Sequence, residues 1–597
     1  MLSPDRPDSE RLAGAQMRDL PHLLKMWALL AALVLIVSAG RIMQWDYPDP
    51  DDIMRLVQVR DLLAGQDWFD LTQHRIDPLR QVPMHWSRLV DLPLAIIIGG
   101  LTPLLGQAGA ESFALIAVPL LVLLIAMILT GLVSVRLFGR ETGGLTVLVA
   151  GMMPLLINQF QPLRIDHHGW QIACFAAALW GLAQGKAARG PIVAGLAMAW
   201  GMMISIETLP LAGLVGGIFA LRWLRDRHER SALTHYLQAL SAGLCVLFLA
   251  TRGWPGASNF CDAIMPAHIG FFLVAALGTT VLRTIRPLPA IATVGAFGAI
   301  GAAGLALFGW SAPGCLDTPF GSLDPLVHDL WYVAVSEGRP VWEQRPIIIP
   351  VLLQLLVAFA ASVFLYTRAP ANERGWWLDF VILFAGTLVL GLLVTRSLAF
   401  GALLATIPLG WLLAQALHRL RTADGPRTRM AIAVATLLVL LPAAPVALAQ
   451  QVLPERKDPR EEGVNGLRDS FCDDRGAAET LQKLAPGMVF APLDIGPSLL
   501  LNTRHKVVAT GHHRAQAAMH DVMVAFLSDP DEARAVVQRY DADYFVLCTD
   551  LYEPAIYRMN GGPGSLAARL TEGDVPDWLE PLSLGGPETF RAYRVKD

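Results

Sequence analysis

Charged side chains are scarce in this chain: 16% of 597 residues, against about a quarter in an ordinary soluble domain. That shortage excludes a soluble enzyme of this length. The formal net charge of −4 is too small to point to nucleic acid or any other strongly charged partner. Cysteine is also rare, six residues, which excludes a disulfide-built scaffold. No tandem repeat or low-complexity segment stands out. What the chain has instead is apolar bulk, with 54% hydrophobic residues and a mean hydropathy of +0.46. Apolar runs of roughly 17–22 residues recur over the first three quarters, long enough to cross a hydrocarbon core of about 30 Å. The sequence therefore predicts a polytopic α-helical membrane protein.

The leader mixes acids and bases for more than about twenty residues before "MWALLAALVLIVSAG", longer than a signal-peptide n-region, so a retained anchor is expected. Basic loops prefer the cytoplasm. The basic connections "SVRLFGRETGG", "AQGKAARGP", "LRWLRDRHERS", "LRTIRP", "YTRAPANERG" and "LHRLRTADGPRTR" share one side if there are about thirteen crossings. Those crossings are expected at roughly 24–43, 113–135, 143–160, 170–185, 189–205, 208–224, 235–251, 265–283, 289–309, 346–366, 377–394, 397–417 and 430–450. The proline-bearing run at about 89–106 is then a re-entrant or interfacial helix. This divides the chain into a transmembrane part, 1–450, with external loops at 44–112 and 310–345, and an extracytoplasmic α/β domain, 451–597. Cys174 and Cys245 fall in apolar runs as packed thiols. Cys261 with Cys315, and Cys472 with Cys548, could each be oxidised in a periplasm-like compartment.

With this topology the external side collects acids and bases from distant segments. The first loop carries Asp49, Asp51, Asp52, Arg60 and Asp61; "QPLRIDHHGW" carries Arg164, Asp166, His167 and His168. "SIETLP" adds Glu207, the long loop adds Glu337 and Arg339, and Arg396 opens the twelfth span. Carboxylates and imidazoles at a membrane face are costly unless paired, solvated or metal-bound. Several carboxylates suit Mg²⁺ or Mn²⁺, and imidazole tilts the choice towards Mn²⁺ or a softer ion. Such an ion could hold a phosphate leaving group, with Arg164, Arg339 or Arg396 adding positive charge. Each group also has a bland reading. "DPDD" suits a helix N-cap, "DHH" a solvated turn, and Glu207 a simple partner for an arginine. Glu337 and Arg339 suit an ordinary loop, and Arg396 a snorkelling side chain.

The ordered set resembles the GT-C membrane glycosyltransferases, most closely the catalytic subunits of oligosaccharyltransferases. "AVSEGRPVW" is similar to that family's fifth-loop Glu motif. "DDIMRLVQVRDLLAG" looks like its first-loop pattern, and "DHHG" stands where the family has Asp-Asn-Glu-Gly. "PLDIGPSLLLNTRHKVVATGHHR" looks like its Trp-Trp-Asp-Tyr-Gly segment with the trailing strand. The resemblance implies an inverting, metal-dependent transferase of a multi-pass bacterial inner-membrane protein, with site and C-terminal domain periplasmic. It would move a sugar or oligosaccharide from a polyprenyl-(di)phosphate donor to a lipid, glycan or protein acceptor. In these terms Asp51 and Glu337 are catalytic, with Asp49 and Asp52 as register alternatives to Asp51. Asp51, Asp166, His168 and Glu337 are ligands of Mn²⁺ or Mg²⁺, and Arg396 grips the donor phosphate. Pro492 and Leu493 stand before Asp494 where the family has two tryptophans, and Ile495 stands in place of its tyrosine; in the family those aromatics form the sequon pocket. That argues against ordinary Asn-linked recognition. His512, His513 and Arg514 could contact a phosphate or sugar acid, or form a polar turn. The runner-up function is a monosaccharide transferase to lipid A, another lipid or a glycan, using a polyprenyl-monophosphate sugar. Outside that class stand a transporter or flippase and a non-catalytic scaffold.

Overall fold

The computed structural model describes residues 9–185, 189–253, 260–316, 323–344, 348–441 and 472–596, with side chains from residue 18 onward apart from that of residue 474. They form two compact units. The first holds residues 9–46, 87–316 and 336–441; the second holds 47–86, 323–335 and 472–596.

The first unit is helical. Its elements are α1 (Ser9–Val37) and α2 (Ala39–Gln44), while α3 (Pro50–Leu63) belongs to the second unit. Then follow α4 (Arg88–Phe138), α5 (Arg140–Val149), α6 (Pro154–Ile157), α7 (His168–Ala183), α8 (Arg189–Ile204), α9 (Leu209–Arg225), α10 (Arg230–Thr251), α11 (Pro266–Thr284) and α12 (Ala290–Ser311). After α13 (Pro325–Leu330), which is in the second unit, come α14 (Ile348–Arg368), α15 (Ala371–Leu393), α16 (Leu398–Thr422) and α17 (Pro426–Leu440). Among the described residues nine helices are long and apolar enough to span a membrane. The expected span at 430–450 lies outside the described residues beyond 441. The run at 89–106 is helical and continues into 107–138, broken at Gly106, whose φ of 70° breaks helical geometry without the steric cost a side chain would bring. The run at 143–160 is not one helix. It breaks after Val149 into a 3-10 turn and the short α6, because Pro154 has no amide to continue the ladder.

Small residues let these helices approach closely, as membrane bundles require. A Cβ on Gly410 of α16 would lie 2.9 Å from the backbone nitrogen of Thr146 on α5. A buried charge is tied between α9 and α15, where Arg222 donates to Asp379 at 2.7 Å and Arg225 pairs with the same carboxylate. The disulfide Cys261–Cys315 bridges the segments flanking α11 and α12.

The second unit is α/β. Besides the small hairpin β1 (Thr72–Gln73) and β2 (Val82–Pro83), it has a sheet of β3 (Met488–Phe490), β4 (Lys506–Val507), β5 (Tyr544–Cys548), β6 (Leu579–Pro581) and β7 (Phe590–Val595). The order is β4-β3-β5-β7-β6, parallel for β4-β3-β5 and antiparallel for β5-β7-β6. All of β5 is buried, as expected of a central strand covered on both faces. Helices α18 (Asp474–Leu481), α19 (Gly496–Asn502), α20 (Gln516–Leu527), α21 (Pro530–Arg539), α22 (Tyr552–Gly561) and α23 (Leu566–Glu572) surround it. Cys472 is disulfide-bonded to Cys548 at the end of β5.

The first external loop is part of this unit rather than a free connection. Met54, Val57, Ile76 and Trp86 share one core with Val489, Phe490 and Val507. Arg60 donates to the Leu501 carbonyl at 2.6 Å and Arg75 to that of Thr503 at 3.1 Å. Val327 of α13 lies in the same core.

Candidate active site

The cluster begins at "RIDHHG". Leu163 sits at φ 70°, an uncommon conformation for a branched residue, and its amide is held by the Leu115 carbonyl of α4 at 2.9 Å. This turn delivers Arg164, Asp166 and His167 ahead of α7, whose first residue is His168. Gly169 is required here, since a Cβ would lie 2.7 Å from the Gln159 carbonyl oxygen. Asp166 is buried with both oxygens engaged. One faces His167 through the ring Nδ1 and the backbone amide; the other meets His168 Nδ1 at 2.5 Å, with Arg164 at 3.7 Å. The two imidazoles stack with centroids 4.3 Å apart. Burial alone would raise the Asp166 pKa, but the two neighbouring imidazoles outweigh it and hold the carboxyl well below the usual range.

From His168 the chain of contacts continues. Its Nε2 lies 3.9 Å from Glu207 Oε2, too far for a hydrogen bond. Glu207 sits in the 3-10 turn ahead of α9, and its other oxygen pairs directly with Arg396. Arg396 also reaches Glu337 Oε1 at 3.2 Å. The Glu337 loop is fastened to the start of α16, because the Arg339 carbonyl accepts from the Thr395 amide at 3.0 Å and its hydroxyl at 2.7 Å. Gln344 closes the loop from within by donating to the Ser336 carbonyl at 2.5 Å. Residues from four separate stretches of the first unit thus form one network: Arg164, Asp166, His168, Glu207, Arg396 and Glu337.

Glu207 is the residue that sequence reasoning undervalued. It appeared among the external acids but outside the ligand set, with pairing to an arginine as its plain reading. It does pair with an arginine, and by doing so it joins the imidazoles to Glu337. The available signal was that Glu207 and Arg396 both stand at the start of a span on the expected external side.

The cluster suits a divalent cation. Asp166, His167 and His168 are buried, and their ligating atoms lie within 4.8 Å of one another. The Nε2 of His168 is buried without a hydrogen-bond partner. Three carboxylates against two arginines leave an acidic excess before the imidazoles are counted. Mixed oxygen and imidazole donors fit Mn²⁺ or a softer ion better than Mg²⁺.

By sequence, the chain matches no protein-family model and no curated protein. Solved structures do match. The archaeal oligosaccharyltransferase AglB from Archaeoglobus fulgidus, in complex with an inhibitory peptide and a dolichol-phosphate, superposes with a TM-score of 0.61 at 13% identity. The match covers 94% of this chain and 72% of that one. The same organism's enzyme tethered to an acceptor peptide with an NVT sequon gives 0.59 at 12% identity, over 96% and 74%. Its complex with Zn and sulfate gives 0.55 at 13%, over 96% and 73%. The chain has the GT-C fold.

The other sequence candidates lie in the second unit. Asp49 caps α3 by accepting from the Asp51 amide at 2.9 Å, and Asp52 is fully buried. Asp51 Oδ1 lies 3.4 Å from His512 Nε2, and His512 Nδ1 meets the Thr510 hydroxyl at 2.7 Å. His513 packs on His85 with ring centroids 4.7 Å apart. Arg514 donates to the Pro83 and Met84 carbonyls at 3.1 and 3.3 Å, which fixes a turn. Leu493 and Ile495 are buried, whereas Asp494 is exposed. That turn is held from below by Glu553, which accepts from the Leu493 amide at 2.8 Å, the Asp494 amide at 2.9 Å and the Tyr557 hydroxyl.

Burial, followed by the charge of Asp494, pushes the Glu553 carboxyl up to about 8, against the pull of its three donors. The folded unit then binds a proton that the unfolded chain releases near pH 4.5. Its stability is expected to be greatest below that pH and to fall as pH rises towards 8. Thermal unfolding followed from pH 5 to 8 checks this, with a flatter slope expected in Glu553→Gln.

Proposed function

We propose that the chain is an integral-membrane glycosyltransferase that takes its sugar from a polyprenyl-(di)phosphate donor, with the Asp166–Glu337 cluster as its reaction centre at the periplasmic face of a bacterial inner membrane. The observation that carries this reading is the placement of Arg396 between Glu207 and Glu337, with Glu207 leading on to His168 and His168 to Asp166, on a GT-C fold. AglB was crystallised with a dolichol-phosphate, which supports a lipid-linked donor here. Its crystals with Zn and sulfate support a divalent ion.

Asp166, His168 and Glu337, with Glu207 alongside, would hold Mn²⁺ or Mg²⁺. The ion would supply Lewis-acid stabilisation of the departing phosphate. The protein's own part is charge placement. Arg396 can leave its carboxylate partners for a phosphate, which offers the same bidentate geometry, and Arg164 and Arg339 add positive charge nearby. Release of Glu337 from Arg396 frees its Oε1 to accept the proton of the attacking acceptor group, which enters opposite the leaving phosphate and inverts the anomeric carbon. The imidazoles keep Asp166 ionised in a buried setting, where its field is strongest.

The acceptor is proposed to be other than an Asn-linked sequon. Where the resembling family has exposed aromatics, Leu493 and Ile495 point into the core, and only Asp494 is exposed. This favours a lipid or glycan acceptor, and with it a single sugar delivered from a polyprenyl monophosphate.

The test is capture of the donor by the purified full chain, with mass spectrometry of the extracted lipid. A polyprenyl-phosphate sugar is expected, and glycan or lipid mass shifts should appear in the envelope of a deletion strain. Failure to retain any phosphorylated polyprenyl lipid, together with an unchanged envelope, would sink the proposal.

A further inference from the structure

Helix α9 leads away from the cluster, beginning next to Glu207 and ending about 25 Å later at Arg225. At that far end the chain turns through Arg227–Glu229 into α10, and α11 and α12 are joined beside it. A cavity of about 330 Å³ opens there, lined by Arg227, His228, Arg230, Ser231, Arg283 and Pro287. It adjoins a recess that shares Arg227, Arg230 and Pro287 and adds Trp223, Leu282 and Leu288 to the wall.

Several arginines at other helix ends are paired with acids. Arg222 and Arg225 hold Asp379, and Arg421 reaches Glu141 at 3.4 Å. Arg227, Arg230 and Arg283 have no carboxylate within ion-pair reach among the described residues; Arg283 meets only the ring of His235, at 3.3 Å. The nearby acids are Asp226, whose carboxylate caps the turn through the His228 amide at 2.9 Å, and Glu229. The positive bias of cytoplasmic loops explains arginines here, but it would leave them spread in water. Here three line one cavity. Ser231, in the first turn of α10, adds a hydroxyl, and Ala290 brings the first turn of α12 to the recess. Neither helix has a side-chain cap, so both leave amide donors on that side.

We propose that this cavity binds the phosphodiester headgroup of an anionic glycerophospholipid, such as phosphatidylglycerol or cardiolipin, drawn from the bilayer. Lipid is favoured over free phosphate by the Trp223, Leu282 and Leu288 side chains next to the arginines and by the flanking surface. Val281, Ile285 and Ile291 are exposed beside Arg283 and Pro287 in sequence, which suits acyl chains. Basic pockets between spans at the cytoplasmic side have this use in general. The site is one helix length from the proposed reaction centre and does not depend on it.

The test uses the full chain in nanodiscs of phosphatidylcholine with and without phosphatidylglycerol, read by native mass spectrometry of retained lipid. Wild type is expected to retain phosphatidylglycerol at least about tenfold over phosphatidylcholine. The Arg227→Gln/Arg230→Gln/Arg283→Gln variant should bring that ratio to near unity. Equal retention of the two lipids by wild type would overturn the proposal, as would undiminished retention by the variant. So would millimolar inorganic phosphate displacing the lipid completely, which would make this a site for free phosphate. Should the triple variant not fold, the wild-type lipid ratio decides.

Discussion

Asp166→Asn is expected to lower sugar transfer by about 10³-fold, the scale seen when a preorganised charge is removed from a reaction centre. The reason lies in what the amide does to both neighbours. Each oxygen of Asp166 now accepts from an imidazole Nδ1. An amide keeps one acceptor and turns the other into a donor, so one histidine must change its tautomer or move away. The pair stacked at 4.3 Å would lose its register, and with it the aim of His168 Nε2 at Glu207. Loss of bound Mn²⁺, measured by elemental analysis of the purified variant, should accompany the loss of transfer. His167→Ala removes one donor but leaves the Asp166–His168–Glu207 line in place, so its effect should be about tenfold. Wild-type transfer by Asp166→Asn, with metal still bound, would show that the cluster is a structural ion network.

Much of the scaffold could be read from hydropathy alone, because a helix in lipid must satisfy its own backbone and announces itself by length. The α/β character of the C-terminal domain was also legible, in the apolar runs around "MVF" and "YFVLC" and the helix-like "DEARAVVQR" between them, though the order and direction of the strands were not. What could not be read are the long-range choices. Nothing local in "MMPLLINQ" says that Pro154 ends one helix and starts another rather than kinking a single span. Likewise the first loop looks like a free connection until Arg60 and Arg75 are seen to donate to carbonyls more than four hundred residues away. That regrouping places Asp51 in the second unit, beside His512. Glu337, Asp166 and Arg396 were each named from their own loops. The side chain that links them, Glu207, has no motif around it, and its weight comes wholly from distances to residues at 168 and 396.

Arg396→Met is expected to cost both function and stability, and the two losses can be separated. The guanidinium stands between Glu207 and Glu337, whose side chains are 29% and 37% exposed. Deleting it leaves two carboxylates facing each other without a cation. Full burial of such a pair would cost about 3–5 kcal/mol, and partial exposure to solvent reduces this to about 2 kcal/mol. Transfer should fall by about 10²–10³-fold, since the same group is proposed to receive the donor phosphate. Adding Glu207→Gln to Arg396→Met removes the repulsion, so thermal unfolding of the double variant should return towards wild type while transfer stays lost. Arg396→Lys should recover stability in part but little transfer, because an ammonium keeps the charge near the two acids but lacks the planar fork that binds a phosphate in bidentate fashion. If the double variant regained transfer along with stability, Arg396 would be a counter-ion for the two glutamates alone, and the donor phosphate would need another partner.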